Sequence, residues 1–224
     1  MLSYAILIDG GFAKHKLWDR RLKNVTNDSL LKLVELIQDS EHLKGGRLHR
    51  VYFYDSEPLS SETENPVSFE KINFAKTHVY TEAMDLLKEL QRNPYWAFRK
   101  GELHMQGWAL KGRIKRSDVV DGAVSITAED IKPNISQKGV DMKIGLDMAA
   151  LSLKAHVDVI VLVTGDSDLI PAMKFARIEG RQIFLVPLNH PIKDNMRYHT
   201  DVLLDIDPKS VVDVNKDIQC SADS

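Results

Sequence analysis

The sequence predicts an α/β protein in which a mostly parallel central sheet lies between two layers of helices. Three observations predict it. The apolar runs Tyr4 to Ile8, Val157 to Val163 and Gln182 to Pro187 are nearly uninterrupted, as expected of strands buried on both faces. Segments with helical spacing separate those runs, and strands that alternate with helices build three-layer parallel sheets. The first two runs end at polar turns, Asp9-Gly10-Gly11 and Asp166-Ser167-Asp168.

The remaining elements follow in chain order. A short helix is expected at Phe12 to Leu22. Asp28 or Ser29 then caps a helix carrying Leu30, Leu33, Val34 and Ile37, and Gly45-Gly46 closes it. Arg50 to Tyr54 is β-branched and aromatic, hence a second strand, and the polar stretch Asp55 to Pro66 reads as a loop. Phe69 to Leu90 holds a helical pattern in Met84, Leu87 and Leu90. Strand character runs from Glu102 to Gln106 and on through Trp108 to Ile114, while Lys111 to Pro133 has no clear assignment. Met142, Leu146, Ala149, Ala150 and Leu153 form a stripe that predicts a core-facing helix. Ser167 to Arg177 resumes helical spacing, with Gly180 as its stop. A late helix at Ile192 to Tyr198 and a strand at Val202 to Ile206 close the fold. This organisation predicts one domain over residues 1–207, with an insertion near 57–137 and a flexible tail at 208–224.

Composition narrows the functional classes. The chain has 224 residues, 43% hydrophobic and 28% charged, enough for one substantial core and unlike a disordered polymer. Its 30 basic and 32 acidic residues nearly cancel, so nucleic acid would have to be held by a local patch. Cys220 is the single cysteine, which excludes an internal disulfide and a thiolate metal cage and fits a reducing cytoplasm. No run approaches the length of a membrane span, so neither export nor membrane insertion is expected.

Chemistry is expected at the strand ends. Sites in open parallel sheets form beyond the carboxyl ends of the strands, which places Asp9 on the same rim as Asp166 and Asp168. Asp141 follows Gln137-Lys138-Gly139-Val140 at a helix start. Each acid alone has a plain explanation as a turn residue or a helix cap. Together, carboxylates gathered on one rim repel one another unless a cation neutralises them or some hold protons. Oxygen-only ligands suit Mg2+ or Mn2+. Asp147 is a secondary metal candidate, because six helical residues turn it about 120° from Asp141 and a salt bridge to Lys143 or Lys154 explains it equally well. Thr164 and Ser167 are candidate hydrogen-bond donors to a carboxylate or a phosphate.

The segments Ile6-Leu-Ile-Asp9-Gly-Gly, Lys138-Gly-Val-Asp141 with Asp147, and Val163-Thr-Gly-Asp166-Ser-Asp168-Leu-Ile-Pro171 resemble the NYN domain of the PIN-like nuclease superfamily, especially its LabA-like branch. The resemblance covers the start of the chain and Lys138 to about Pro187. It implies a Rossmann-like sheet and metal-dependent RNA cleavage, with Asp9, Asp141, Asp166 and Asp168 as catalytic and metal-binding residues and Asp147 behind them. Many relatives carry an asparagine soon after the first aspartate, where this chain has Gly10, Gly11 and Phe12. The leading expectation is a divalent-metal-dependent endoribonuclease with RNA as partner. The alternative is a non-catalytic regulatory or RNA-binding module on the same fold, and a homo-oligomer is compatible with either.

The densest basic run, Lys111, Arg113, Lys115 and Arg116, is the candidate substrate surface, with a solvated charged face as its equal alternative. A second run, Lys14, Lys16, Arg20 and Arg21, reads first as such a solvated face. Tyr95, Trp96 and Trp108 are better explained by packing than by base stacking. His104 and His190 read as ordinary polar residues.

Overall fold

The computed structural model describes residues 1–18, 25–112 and 122–212. Arg20, Arg21, Arg113, Lys115, Arg116 and Cys220 lie outside the described residues. Strand β1 (Ser3–Asp9) is paired in parallel with β2 (Arg47–Ser56) on one side and with β7 (Val159–Val163) on the other. The seven-stranded sheet runs β6-β5-β2-β1-β7-β8-β9, where β5 is Trp96–Leu110, β6 is Ile131–Lys138, β8 is Gln182–Val186 and β9 is Val202–Leu203. All neighbours are parallel except β5 and β6.

The three-layer expectation holds because each central strand has two faces to bury. From β1, Tyr4, Ile6 and Ile8 enter one core with residues of α1 (Gly10–Leu17), α2 (Asn27–Gln38) and α3 (His78–Arg92). Ala5 and Leu7 enter the other, with α4 (Val140–Leu153), α5 (Ile170–Ile178) and α6 (Asp194–Tyr198). That two-sided burial is why the sequence shows no polar alternation there.

Several local expectations shift. Thr26 rather than Asp28 or Ser29 caps α2, its hydroxyl accepting from Ser29 N at 3.2 Å. The polar stretch after Asp55 contains β3 (Glu62–Glu64), which pairs antiparallel with β4 (Lys71–Asn73), and α3 starts only after Thr77 caps it. The face of α4 is also corrected. Met142, Leu146 and Leu153 are exposed, while Val140, Ile144, Met148 and Leu151 are buried. Apolar residues occur all round this helix, so spacing alone does not choose between two overlapping stripes. The stretch from Pro208 is not loose throughout, because α7 (Pro208–Val212) buries Val211 in the core.

The feature that matters most for the site is the long β5. Its pairing with β2 ends at Ser56 and Gly101, but β5 continues to Leu110 with β6 alone beside it. The pair is a ribbon standing beyond the carboxyl rim. Strand β6 descends along it to Lys138, and Gly139, at φ 79°, turns the chain directly into α4. A non-glycine residue is strained in that left-handed conformation. The turn sets Asp141 at the rim where β1 and β7 end.

Candidate functional site

Asp9 is the last residue of β1 and the N-cap of α1, its Oδ1 accepting from Phe12 N at 3.1 Å. Gly10 is required behind it. A Cβ there would stand 2.7 Å from the Tyr54 carbonyl oxygen and 2.8 Å from Phe53 Cζ, so β1 and α1 approach β2 more closely than any side chain allows.

The second carboxylate arrives on the neighbouring strand. Thr164, fully buried after β7, donates from Oγ1 to Asp9 Oδ2 at 3.2 Å and accepts from Asp166 N at 3.1 Å. One hydroxyl thus ties the two strand ends together. Asp166 caps the short 3-10 turn Ser167–Leu169, its Oδ1 accepting from Asp168 N at 2.9 Å. The capping explanation and the rim placement therefore hold together for both Asp9 and Asp166.

The electrostatics link all four acids. Burial holds the Asp9 carboxyl above the usual carboxylate value, and the charges of Asp141 and Asp166 push it further. Asp141, exposed at its outer side, is raised first by partial desolvation, then by Asp166 and Asp168. These groups are near enough to oppose one another's ionisation. Among the described residues, however, no three acidic, histidine or cysteine side chains converge closely enough to hold a metal ion as they stand.

Asp147 is engaged elsewhere. Arg99 grips it with Nε on Oδ2 at 2.8 Å and Nη2 on Oδ1 at 3.2 Å, and the Tyr54 hydroxyl donates to Oδ2 at 2.9 Å. Arg99 lies over the Tyr52 ring, 5.1 Å from its centre. Neither Lys143 nor Lys154 is the partner; the salt bridge comes from β5.

The rim carries residues that the sequence reading passed over. Asp55, buried at the end of β2, pairs with Lys14 of α1 at 2.5 Å and accepts from Ser56 N and Gln137 Nε2. Its strand-end position was the available signal, but Asp55 opens a polar stretch and reads as loop. Gln137, which also donates to Ser56 Oγ at 3.1 Å, reaches the rim from β6, and its Oε1 lies 3.4 Å from where a Gly11 Cβ would stand. No spacing rule reveals that contact. His190 is the third, packed edge-on against Phe12 with ring centres 5.7 Å apart. A Cβ on Gly165 would lie 2.3 Å from His190 Cδ2, so glycine is what admits the ring.

The family model of the NYN domain matches residues 113–207. That stretch is similar to the NYN domain, which belongs to the PIN-like superfamily. The NYN match includes Asp141, Asp166 and Asp168, and the sheet supplies Asp9 from outside it. The match suggests a nuclease-like fold. A protein of unknown function from Vibrio parahaemolyticus is similar in structure, with a TM-score of 0.50 at 14% identity over 92% of this chain and 93% of that one. A structure described under the mechanism and regulation of Sir2 enzymes aligns at a TM-score of 0.33 and 9% identity, over 97% of this chain and 93% of that one. No curated protein matches the chain. No helix among the described residues is long and apolar enough to cross a membrane.

Proposed function

We propose that the chain is a divalent-metal-dependent ribonuclease whose active site is the rim of Asp9, Asp141, Asp166 and Asp168. One observation carries the reading: Asp9 and Asp141 meet at one strand rim where desolvation and the charges of the neighbouring acids raise both carboxyls above their usual value. Such a cluster binds a cation to relieve its repulsion. Its donors are hard oxygens, which suit Mg2+ or Mn2+. Asp9 and Asp166 are the first ligands and Asp141 completes the set, while Asp147 is outside it because Arg99 neutralises it. The ion would acidify water and offset phosphate charge.

The chain's own residues do the rest. Thr164 fixes the Asp9 carboxylate and the Asp166 backbone in one register. Asp168, exposed beside Asp166, is placed to orient a water or accept its proton. We place RNA as the substrate, the protein in the cytoplasm, and one NYN/PIN-like unit across residues 1–207. Lys111 at the outer end of β5, with Arg113, Lys115 and Arg116, remains the sequence-based candidate for RNA contact.

Cleavage of labelled RNA with Mg2+ or Mn2+ tests the proposal. Wild-type protein cuts, EDTA stops it, and Asp9→Asn and Asp166→Asn proteins are inactive; full activity in either variant sinks the reading. A second reading, a non-catalytic RNA-binding module, is favoured by the absence of a three-ligand shell among the described residues and by Gly10, Gly11 and Phe12 standing where many relatives carry an asparagine. It predicts RNA binding without turnover.

A further inference from the structure

An anionic substrate cannot approach four carboxylates unless cations stand beside its path. Two cations of this rim are already committed, Lys14 to Asp55 and Arg99 to Asp147. On the other flank, beside β7 and β8, the cations are not so committed. Lys16 of α1 places Nζ 5.9 Å from the centre of the Phe12 ring, and Phe12 meets His190 edge-on. Lys193, just before α6, donates to Ser167 Oγ at 2.9 Å, between Asp166 and Asp168. Among the described residues neither lysine has a carboxylate partner.

His190 is held there by a costly turn. Leu188 and Asn189 follow β8 with φ of 48° and 57°, two consecutive left-handed residues without a glycine, and His190 N donates to Pro187 O at 2.9 Å. Such conformations cost about 1–3 kcal/mol each and persist where the surroundings impose them. Leu188 is buried and anchors the turn. The outcome is a ring lying on Gly165, the residue that leads into Asp166, with no hydrogen bond to its nitrogens among the described residues. Partial burial and the charges of Lys16 and His15 hold its pKa below the usual imidazole value, and a neutral ring donates from one nitrogen and accepts at the other.

Building on the ribonuclease reading, we infer that the wall of Lys16, His190 and Lys193 is where the phosphodiester backbone of the substrate strand lies, crossing the His190 ring. Lys16 and Lys193 supply point charges to successive phosphates. His190 supplies a directional donor between them, and Gly165, by lacking a side chain, lets that ring sit close beside the acids.

Fluorescence anisotropy with a short labelled oligouridylate in EDTA reads binding without cleavage. Lys16→Ala and Lys193→Ala should each weaken binding several-fold and flatten the dependence of log affinity on log salt by roughly 0.7, the value for one phosphate contact on a single strand. Gly165→Ala, which displaces His190 without removing a charge, should weaken binding and leave that slope unchanged. Lys32→Ala, which removes a lysine paired with Glu35 on α2, should bind as wild type. Wild-type affinity and slope in both wall-lysine variants, or an equal loss in Lys32→Ala, overturns the inference while metal-dependent cleavage still supports the ribonuclease reading. A wild-type protein that neither binds nor cuts RNA overturns both.

Discussion

Asp9 illustrates a residue whose chemistry opposes stability. Its folded-state pKa is raised above the usual value, so the native state binds its proton more tightly than the unfolded chain does. The ionised carboxylate is therefore destabilising at neutral pH, and that penalty fades as pH falls through the raised pKa. Asn preserves the cap to Phe12 N without the charge. Asp9→Asn should accordingly unfold at a higher temperature than wild type at pH 7 in EDTA, by a margin that shrinks toward pH 4, while losing RNA cleavage. A lower melting temperature in the variant would contradict the burial argument. Asp147 predicts the opposite. Asp147→Ala strands the Tyr54 hydroxyl and Arg99, and should cost about 1–2 kcal/mol in urea unfolding with cleavage per folded molecule retained. Selective loss of cleavage would return Asp147 to the metal site.

Among the elements, the β1 to α1 junction tolerates least. A Cβ at Gly10 meets the Tyr54 carbonyl, which is backbone and cannot swing away. Gly10→Ala should destabilise by about 1–3 kcal/mol, as overpacked cores do, and displace Asp9 with it. Helix α4 offers a graded comparison. Ile144→Ala should cost about 2–5 kcal/mol, whereas Leu146→Lys on the exposed face should stay within about 0.5 kcal/mol in the same assay. Equal losses would mean that Leu146 is covered. These elements also show where sequence reading stops. The runs around Ile6, Val161 and Leu185 declared buried parallel strands because both faces are covered. The face of α4 was hidden by its uniform apolarity, and the β5 and β6 ribbon by tertiary pairing across twenty intervening residues.

At the scale of the molecule, parallel topology is what made the site legible. Strands β1 and β7 are adjacent, so the Thr164 hydroxyl reaches Asp9, 155 positions away in the chain. Asp9, Asp166 and Asp168 were readable as strand ends for that reason. Asp55, Gln137 and His190 were not, because their places depend on an ion pair to a buried carboxylate, a descending ribbon and a strained turn. If the gathered acids bind a cation, Mn2+ should raise the melting temperature of wild-type protein by mass action and leave Asp166→Asn protein unmoved. The most direct measurement is a crystal structure of the protein soaked in Mn2+. The account predicts an anomalous peak in contact with Asp9 and Asp166. Crystals that show these carboxylates unliganded at saturating Mn2+ would contradict it.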